Sequence, residues 1–600
     1  MDSAEPRPQN PEAEYQRRLE RLHAEEVRLK VRDDRLAYTI LVLILGTVAL
    51  AVWLIFSKIH SLFWVLIPVV LLILCAVIHS PVIRALRTCR RAIAFYDRGV
   101  ARLRNRWIGK GQNGERFLDP SHRYARDLDL FGTGSLFELL CTARTRAGEC
   151  TLAEWLLTPA PPSEVLLRQA AIAEMRERLA FREDLAVLSD GVDAAGHPER
   201  LAAWAQENAS SGPGYLRILL PALAIIWFVS LIAGIGWKLW SVTVLLSVLN
   251  LLVAYRVNKR AEFSMSAIDI AVRDVQLISG VLACVESEPF SSPKLAALQR
   301  PLRRNGPAAS YCTARLAQLA DSLASGRSLF VQLLDHVIFW RVQFTLAIEA
   351  WRRRYGSEVP TWLTALGEME ALSDLAGYSY EHPADVFPEF TTESPCFEAQ
   401  GLAHPLMPAN SAIRNDLMLG RRLRLVIISG PNMAGKSTFV RAVGVNAVLA
   451  QCGAPVRAAK LRISPLAVAA SVCVLDSLQG GISRFYAEIL RLKLIMDMTK
   501  GPVPVLFLLD ELLSGTNSHD RRLGAEAIVR GLFERNALGL VTTHDLSLTE
   551  IVTILGDQAV NVHFEDLLED GQLRFDYHLT PGIVQTSNAL NLMRSIGLDV

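Results

Sequence analysis

The chain has 600 residues, 51% of them hydrophobic and 21% charged, with a positive mean hydropathy. That length is too great for one hydrophobic core and predicts several domains. A net charge of +2 excludes a global field that draws in nucleic acid, leaving only a local basic patch, and nine scattered cysteines with no C-x-x-C pair read as reduced thiols rather than a disulfide frame or a zinc site.

The N-terminus, "MDSAEPRPQNPEAEYQRRLE", is polar and acidic, which argues against a cleaved signal or transit peptide. Tyr15, Leu22, Leu29 and Leu36 recur at steps of seven, the spacing of a short coiled coil or of one stripe on a solvated charged helix. Four uncharged apolar runs follow, Tyr38–Phe56, Leu62–Ile78, Ile218–Gly236 and Leu239–Tyr255. Each is near the length that crosses a hydrocarbon core. Only "SKIHS" separates the first two and "WK" the second two, so the expectation is two hairpins and four spans. Arg28, Lys30, Arg32 and Arg35 precede the first run, Arg84, Arg87, Arg90 and Arg91 follow the second, and Arg256, Lys259 and Arg260 follow the fourth. The tight connectors carry only Lys58 and Lys238. Positive charge stays inside, so the N-terminus, middle region and C-terminal third are expected in the cytoplasm, with lipid of the cell's inner membrane as a partner. Arginines from Arg84 to Arg126 suit anionic headgroups as well as DNA.

In the last third, the strand-like run Leu423–Ser429 leads into "GPNMAGKST", Gly430 to Thr438, and then a helical stretch. Gly430-x4-Gly435-Lys436-Ser437 is the phosphate-loop spacing in its required strand–loop–helix context. Gly430, Pro431, Asn432, Met433, Ala434, Gly435, Lys436, Ser437 and Thr438 are therefore candidate ATP-binding residues. Lys436 is assigned to the β- and γ-phosphates and Ser437 to Mg²⁺. "VPVLFLLDE" ends a buried-strand pattern in two carboxylates, Asp510 to hold Mg²⁺ and Glu511 to polarise an attacking water. "GLVTTHD" ends another apolar run with His544, a candidate γ-phosphate sensor or water-orienting group, or simply a polar cap.

"SGPNMAGKSTFVRA", "LLDELLSGTNSHD", "TTHD" and "VNVHFED" together resemble the MutS mismatch-repair ATPases of the ABC superfamily. The resemblance implies an ATPase dimer in which a serine reaches the opposite subunit's nucleotide. Ser483 is the matching position, although Arg484 stands where that family usually has Thr. Phe485, Glu488 and "SGTNSHD", a loop that crosses the family's dimer seam, also match. Weaker likeness continues upstream in Asp127–Pro159, "RQAAIAEM", "LGEMEALSDLAGYS", "GLAHPLMP" and "RNDLML". Residues 1–126 lack the Phe-x-Glu triplet of the family's mismatch reader, only about 100 residues remain for lever and clamp, and followed to "SIGLDV" the likeness implies no C-terminal helix-turn-helix.

The expected architecture is multidomain: α-helical transmembrane hairpins, a MutS-like helical core and a C-terminal α/β P-loop ATPase of the ABC type. The divisions are a charged helix at 1–36, hairpins at 37–79 and 216–255, helical core at 80–215 and 256–395, and ATPase at 396–600. The function this implies is a membrane-anchored, homodimeric, Mg²⁺-dependent ATPase with DNA as a partner. An ABC-type transporter or a membrane-complex ATPase without a DNA role is the alternative.

Overall fold

A computed structural model describes residues 10–57, 63–189, 198–207, 215–238, 240–272, 275–303, 306–326, 335, 338–431, 434–472, 484–569 and 572–584. The first helix, α1 (Pro11–Phe56), starts where sequence rules place a start. Asn10 caps it by accepting from the Glu12 and Ala13 N–H groups, and Pro11 takes a first-turn position that needs no N–H partner. The charged segment and the first apolar run are thus one 46-residue rod. Helix α2 (Phe63–Leu103) returns antiparallel beside it, with the pairs Asp33–His79, Glu26–Arg90 and Glu12–Arg104 marking the descent. The seven-residue spacing is a seam within this helix pair. Tyr15 is buried over Gly99 and against Tyr96 and Tyr380, Leu22 packs at the same cluster, and Leu29 and Leu36 are half-buried further along.

Beyond that seam the apolar side chains point outward: Tyr38, Trp53, Ile55, Phe56 and Trp64 are all exposed. Helix α3 (Leu216–Trp237) and α4 (Trp240–Val272) form a second hairpin, joined internally by Trp227 Nε1 donating to Ser247 Oγ and Thr243 Oγ1 donating to Ser230 O. Its base packs through Leu220 and Ala254 onto Phe339 and Val342. Among the described residues, three helices, Pro11–Phe56, Trp64–Leu103 and Leu216–Trp237, are long and apolar enough to cross a membrane, and Trp240–Arg256 is a shorter apolar stretch. Residues 36, 79 and 255 lie inside helices, so the first, second and fourth apolar runs continue into polar helix without a break.

The helical body surrounds α5 (Val359–Glu381), whose last thirteen residues are all buried. Several of them are polar and find partners. Glu381 accepts from Arg102 through both oxygens and from the Tyr15 hydroxyl, tying α5 to both helices of the first hairpin. Asp374 accepts from the Thr142 N–H and hydroxyl, and Glu370 from Thr145 Oγ1 and Arg144 N–H. Burial pushes the Glu370 carboxyl up to about 7, with hydrogen bonds opposing it. Its unfolded value is near 4.5, so between those values the unfolded chain ionises first. The stabilisation is complete below pH 4.5 and is lost as pH rises through 7. Glu370→Gln is therefore expected to gain thermal stability relative to wild type as pH goes from 5 to 8. A thermal-shift difference that stays constant between those pH values would rule out this titration.

Among the described residues, the C-terminal part holds two sheets and a ribbon. In chain order the strands are β1 (Glu389–Phe390), β2 (Phe397–Leu402), β3 (Asn415–Leu419), β4 (Leu425–Ser429), β5 (Lys460–Ile463), β6 (Ala467–Ser471), β7 (Val505–Asp510), β8 (Leu538–Thr543), β9 (Ala559–His563), β10 (Asp566–Glu569), β11 (Gln572–Phe575) and β12 (Thr580–Pro581). One sheet runs β1-β5-β2-β3 and β10 pairs with β11. The main sheet runs β12-β9-β4-β8-β7-β6, parallel except for β12. Its central strands β4 and β8 are buried throughout because helices cover both faces. Helix α6 (Lys436–Cys452), buried along most of its length, follows β4, while α7 (Arg484–Met498) and α8 (Ser518–Glu534) flank β7.

Candidate nucleotide site

Register brings the sequence-predicted groups together. Asp510 pairs with Thr542 across β7 and β8, and Ser429 pairs with Thr543 and with His563 across β4, β8 and β9. One residue past those ends stand Glu511, His544 and Gly430, so all three rise from the carboxyl edge of the sheet, where open α/β sheets bind ligands. Gly430 has φ +142°, and a Cβ there would lie 2.8 Å from Phe564 O, so only glycine fits. Gly435, at φ +98°, turns the chain into α6. The first N–H groups of that helix lack intrahelical acceptors and face the loop with the positive end of the helix dipole.

Lys436 is buried, and its Nζ donates to Gly430 O at 2.8 Å and Pro431 O at 2.9 Å. Burial lowers its pKa, while the charges of Glu511 and Asp510 raise it, which places both carboxylates within electrostatic reach of the ammonium. Thr542 Oγ1 donates to Asp510 Oδ1 and accepts from the Glu511 N–H at 3.1 Å, so one buried hydroxyl orients the two adjoining acidic residues. Glu511 Oε1 lies 3.6 Å from His544 Nδ1. Among the described residues no cluster of three or more His, Cys, Asp or Glu can hold a metal ion. One carboxylate and one hydroxyl, Asp510 and Ser437, with ligand oxygens completing the shell, is the donor set that suits Mg²⁺ rather than a tight protein cage.

A cleft of about 510 Å³ opens beside the loop, lined by Lys436, Ser437, Thr438 and Glu511 on one side. The other wall was not singled out residue by residue in the sequence: His404, Met407, Ile413, Asn415, Phe564 and Tyr577. Its signal lay in "GLAHPLMP" and "RNDLML", the stretches that lead into and onto β3. Burial first, then Arg441 and Arg457, hold the His404 imidazole down to about 4, so it is neutral at physiological pH. Its Nδ1 accepts from the Leu406 N–H, which leaves the proton on Nε2. Asn415 donates to Tyr577 O at 3.0 Å and accepts from the Leu579 N–H at 2.7 Å, strapping Tyr577 over the cleft mouth near Gly435. Asn446 of α6 donates to Ala403 O and accepts from the Arg457 N–H, which locks the two walls together. Asn432, Met433 and Ser483 lie outside the described residues.

The family model for MutS domain V matches residues 426–599, a span that contains Gly430, Lys436, Asp510, Glu511 and His544. That segment carries a likeness to the MutS family. A DNA mismatch repair protein MutS from Geobacillus thermodenitrificans is 28% identical over 289 residues, 47% of this chain and 31% of that protein. One from Streptococcus pneumoniae is 28% identical over 295 residues, covering 48% and 33%. An Endonuclease MutS2 from Thermomicrobium roseum is 32% identical over 199 residues, covering 32% and 24%. The chain thus aligns with about a third or less of the length of these relatives. Within the matched segment, Gly430, the paired carboxylates and the strand-end histidine all sit at one edge of one sheet.

Proposed function

We propose that the chain is a membrane-anchored MutS-like ATPase that binds Mg²⁺-ATP in the 510 Å³ cleft and hydrolyses it. The observation that carries the reading is the convergence of Lys436, Asp510, Glu511 and His544 at the carboxyl edge of the main sheet, with Lys436 and Glu511 lining the cleft. ATP supplies the phosphoanhydride, and Mg²⁺ neutralises charge on its oxygens. Gly430–Thr438 bind the phosphates through loop and helix N–H groups, with Lys436 exchanging its loop carbonyls for phosphate oxygens. Ser437 and Asp510 hold the metal. Glu511 accepts the proton of a water, and His544 orients that carboxylate. The neutral His404, Phe564 and Tyr577 offer flat and apolar surface for the base.

The reading extends to a homodimer. Tyr486, Leu490 and Leu494 form an exposed apolar stripe at i, i+4 and i+8 on α7, the helix whose Phe485 packs on Gly515. Ser483 would complete the opposite copy's site. The reading includes four spans in two hairpins, with the N-terminus and the ATPase on the cytoplasmic face; three long apolar helices, the shorter apolar stretch Trp240–Arg256 and the flanking arginines support it. The six-part division of the chain belongs to the same proposal. DNA enters as a partner on the names of the relatives. ATP turnover of the full chain, in detergent and in bilayers, with homoduplex, mismatched and branched DNA, tests the whole. Turnover is expected without DNA and faster with it at low salt. No turnover sinks the hydrolase, and an unchanged rate with no DNA binding removes DNA.

A further inference from the structure

The turn after Glu511 is gripped from both sides. Glu511 and Leu513 have φ of +49° and +54°, a region disfavoured for any residue with a Cβ. From α7, the buried Glu488 carboxylate accepts the Leu513 N–H at 2.6 Å. From α8, Arg521 Nε donates to Leu513 O at 3.2 Å, and its Nη2 donates to Ser514 O at 3.2 Å and Thr516 O at 2.9 Å. The Leu513 side chain is buried against Gly524, where an added Cβ would lie 2.6 Å from it. Arg521 also reaches the segment after His544. Hydrogen bonding from Ser547 chiefly holds the Asp545 carboxyl below its usual range, and the His544 and Arg521 charges add to that.

We propose that Arg521 is a positioning residue for hydrolysis, its guanidinium bridging three carbonyls so that the Glu511–Asn517 turn stays in its left-handed form with Glu511 beside His544. The proposal rests on the hydrolase reading above. The planar fork explains why the residue is arginine: three carbonyls in different directions suit several fixed N–H donors, whereas an ammonium is a point charge on a flexible stem. The next residue, Arg522, instead pairs with the exposed Glu550 and serves as the control.

The test uses the full chain in detergent, comparing wild type with Arg521→Ala, Arg521→Lys and Arg522→Ala. The readouts are kcat, KM, affinity for a fluorescent ATP analogue, and amide hydrogen exchange across residues 512–517. Arg521→Ala is expected to lower kcat about tenfold or more, since ~1 Å of misplacement can cost 10²-fold. KM and analogue affinity should stay within about twofold. Lysine should restore little, and Arg522→Ala should match wild type. The Leu513 and Thr516 amides should exchange faster in Arg521→Ala with the rest of the chain unchanged. Wild-type turnover in Arg521→Ala, full rescue by lysine, or unchanged exchange would overturn the clamp, as would nucleotide affinity falling in step with rate. A wild type that hydrolyses nothing would sink the hydrolase reading, and the exchange data, which need no turnover, would still decide the clamp.

Discussion

Glu511→Gln is expected to lower ATP turnover by about 10²–10⁴-fold, the range supplied by a positioned general base. The amide keeps the shape of the side chain, and the Glu511 N–H still meets Thr542. What is lost is the ability to take a proton beside His544, 3.6 Å away in the unsubstituted chain. Nucleotide should stay bound, because the proposed cradle is the stretch leading into α6 and not this carboxylate. Single-turnover assays with labelled ATP, paired with a binding measurement, separate the two steps. Equal, slow hydrolysis in wild type and variant would favour a nucleotide-binding scaffold that does no chemistry.

Lys436→Ala should weaken ATP binding by about 10- to 100-fold, the worth of one or two hydrogen bonds to a charged group at about 1.5–3 kcal/mol. The ammonium is buried and already satisfied by Gly430 O and Pro431 O, so the unliganded loop keeps the cation in place. Removing it also frees those carbonyls. Lys436→Met, which retains the apolar stem, separates loop collapse from lost charge. Unchanged affinity in a folded alanine variant, as judged by its thermal transition, would refute the cradle.

Much of this site was legible without coordinates because its parts are local. A strand, a glycine-bearing stretch and a helix start lie within fifteen residues, so "RLVIISGPNMAGKST" carries its own pattern. Asp510 with Glu511, and His544, each end a buried strand, and a strand's end is set by its own apolar run. The apolar rods were legible for the same reason, since length and lack of charge are additive along a chain. The heptad at Tyr15 was legible as a stripe, but neither its being a seam nor its partner was. That partner is α2, some eighty residues on.

The sequence alone thus marked the candidate groups for chemistry and the apolar runs long enough to cross lipid. The tertiary structure decided what surrounds them: β4 between β8 and β9, the cleft wall at His404 and Tyr577, Thr542 between the Asp510 carboxylate and the Glu511 N–H, and Arg521 over the turn. Those contacts join residues whose spacing carries no period. A parallel sheet orders its strands by crossovers rather than by chain position, and a single arginine on a helix looks the same in sequence whether it meets water or three carbonyls.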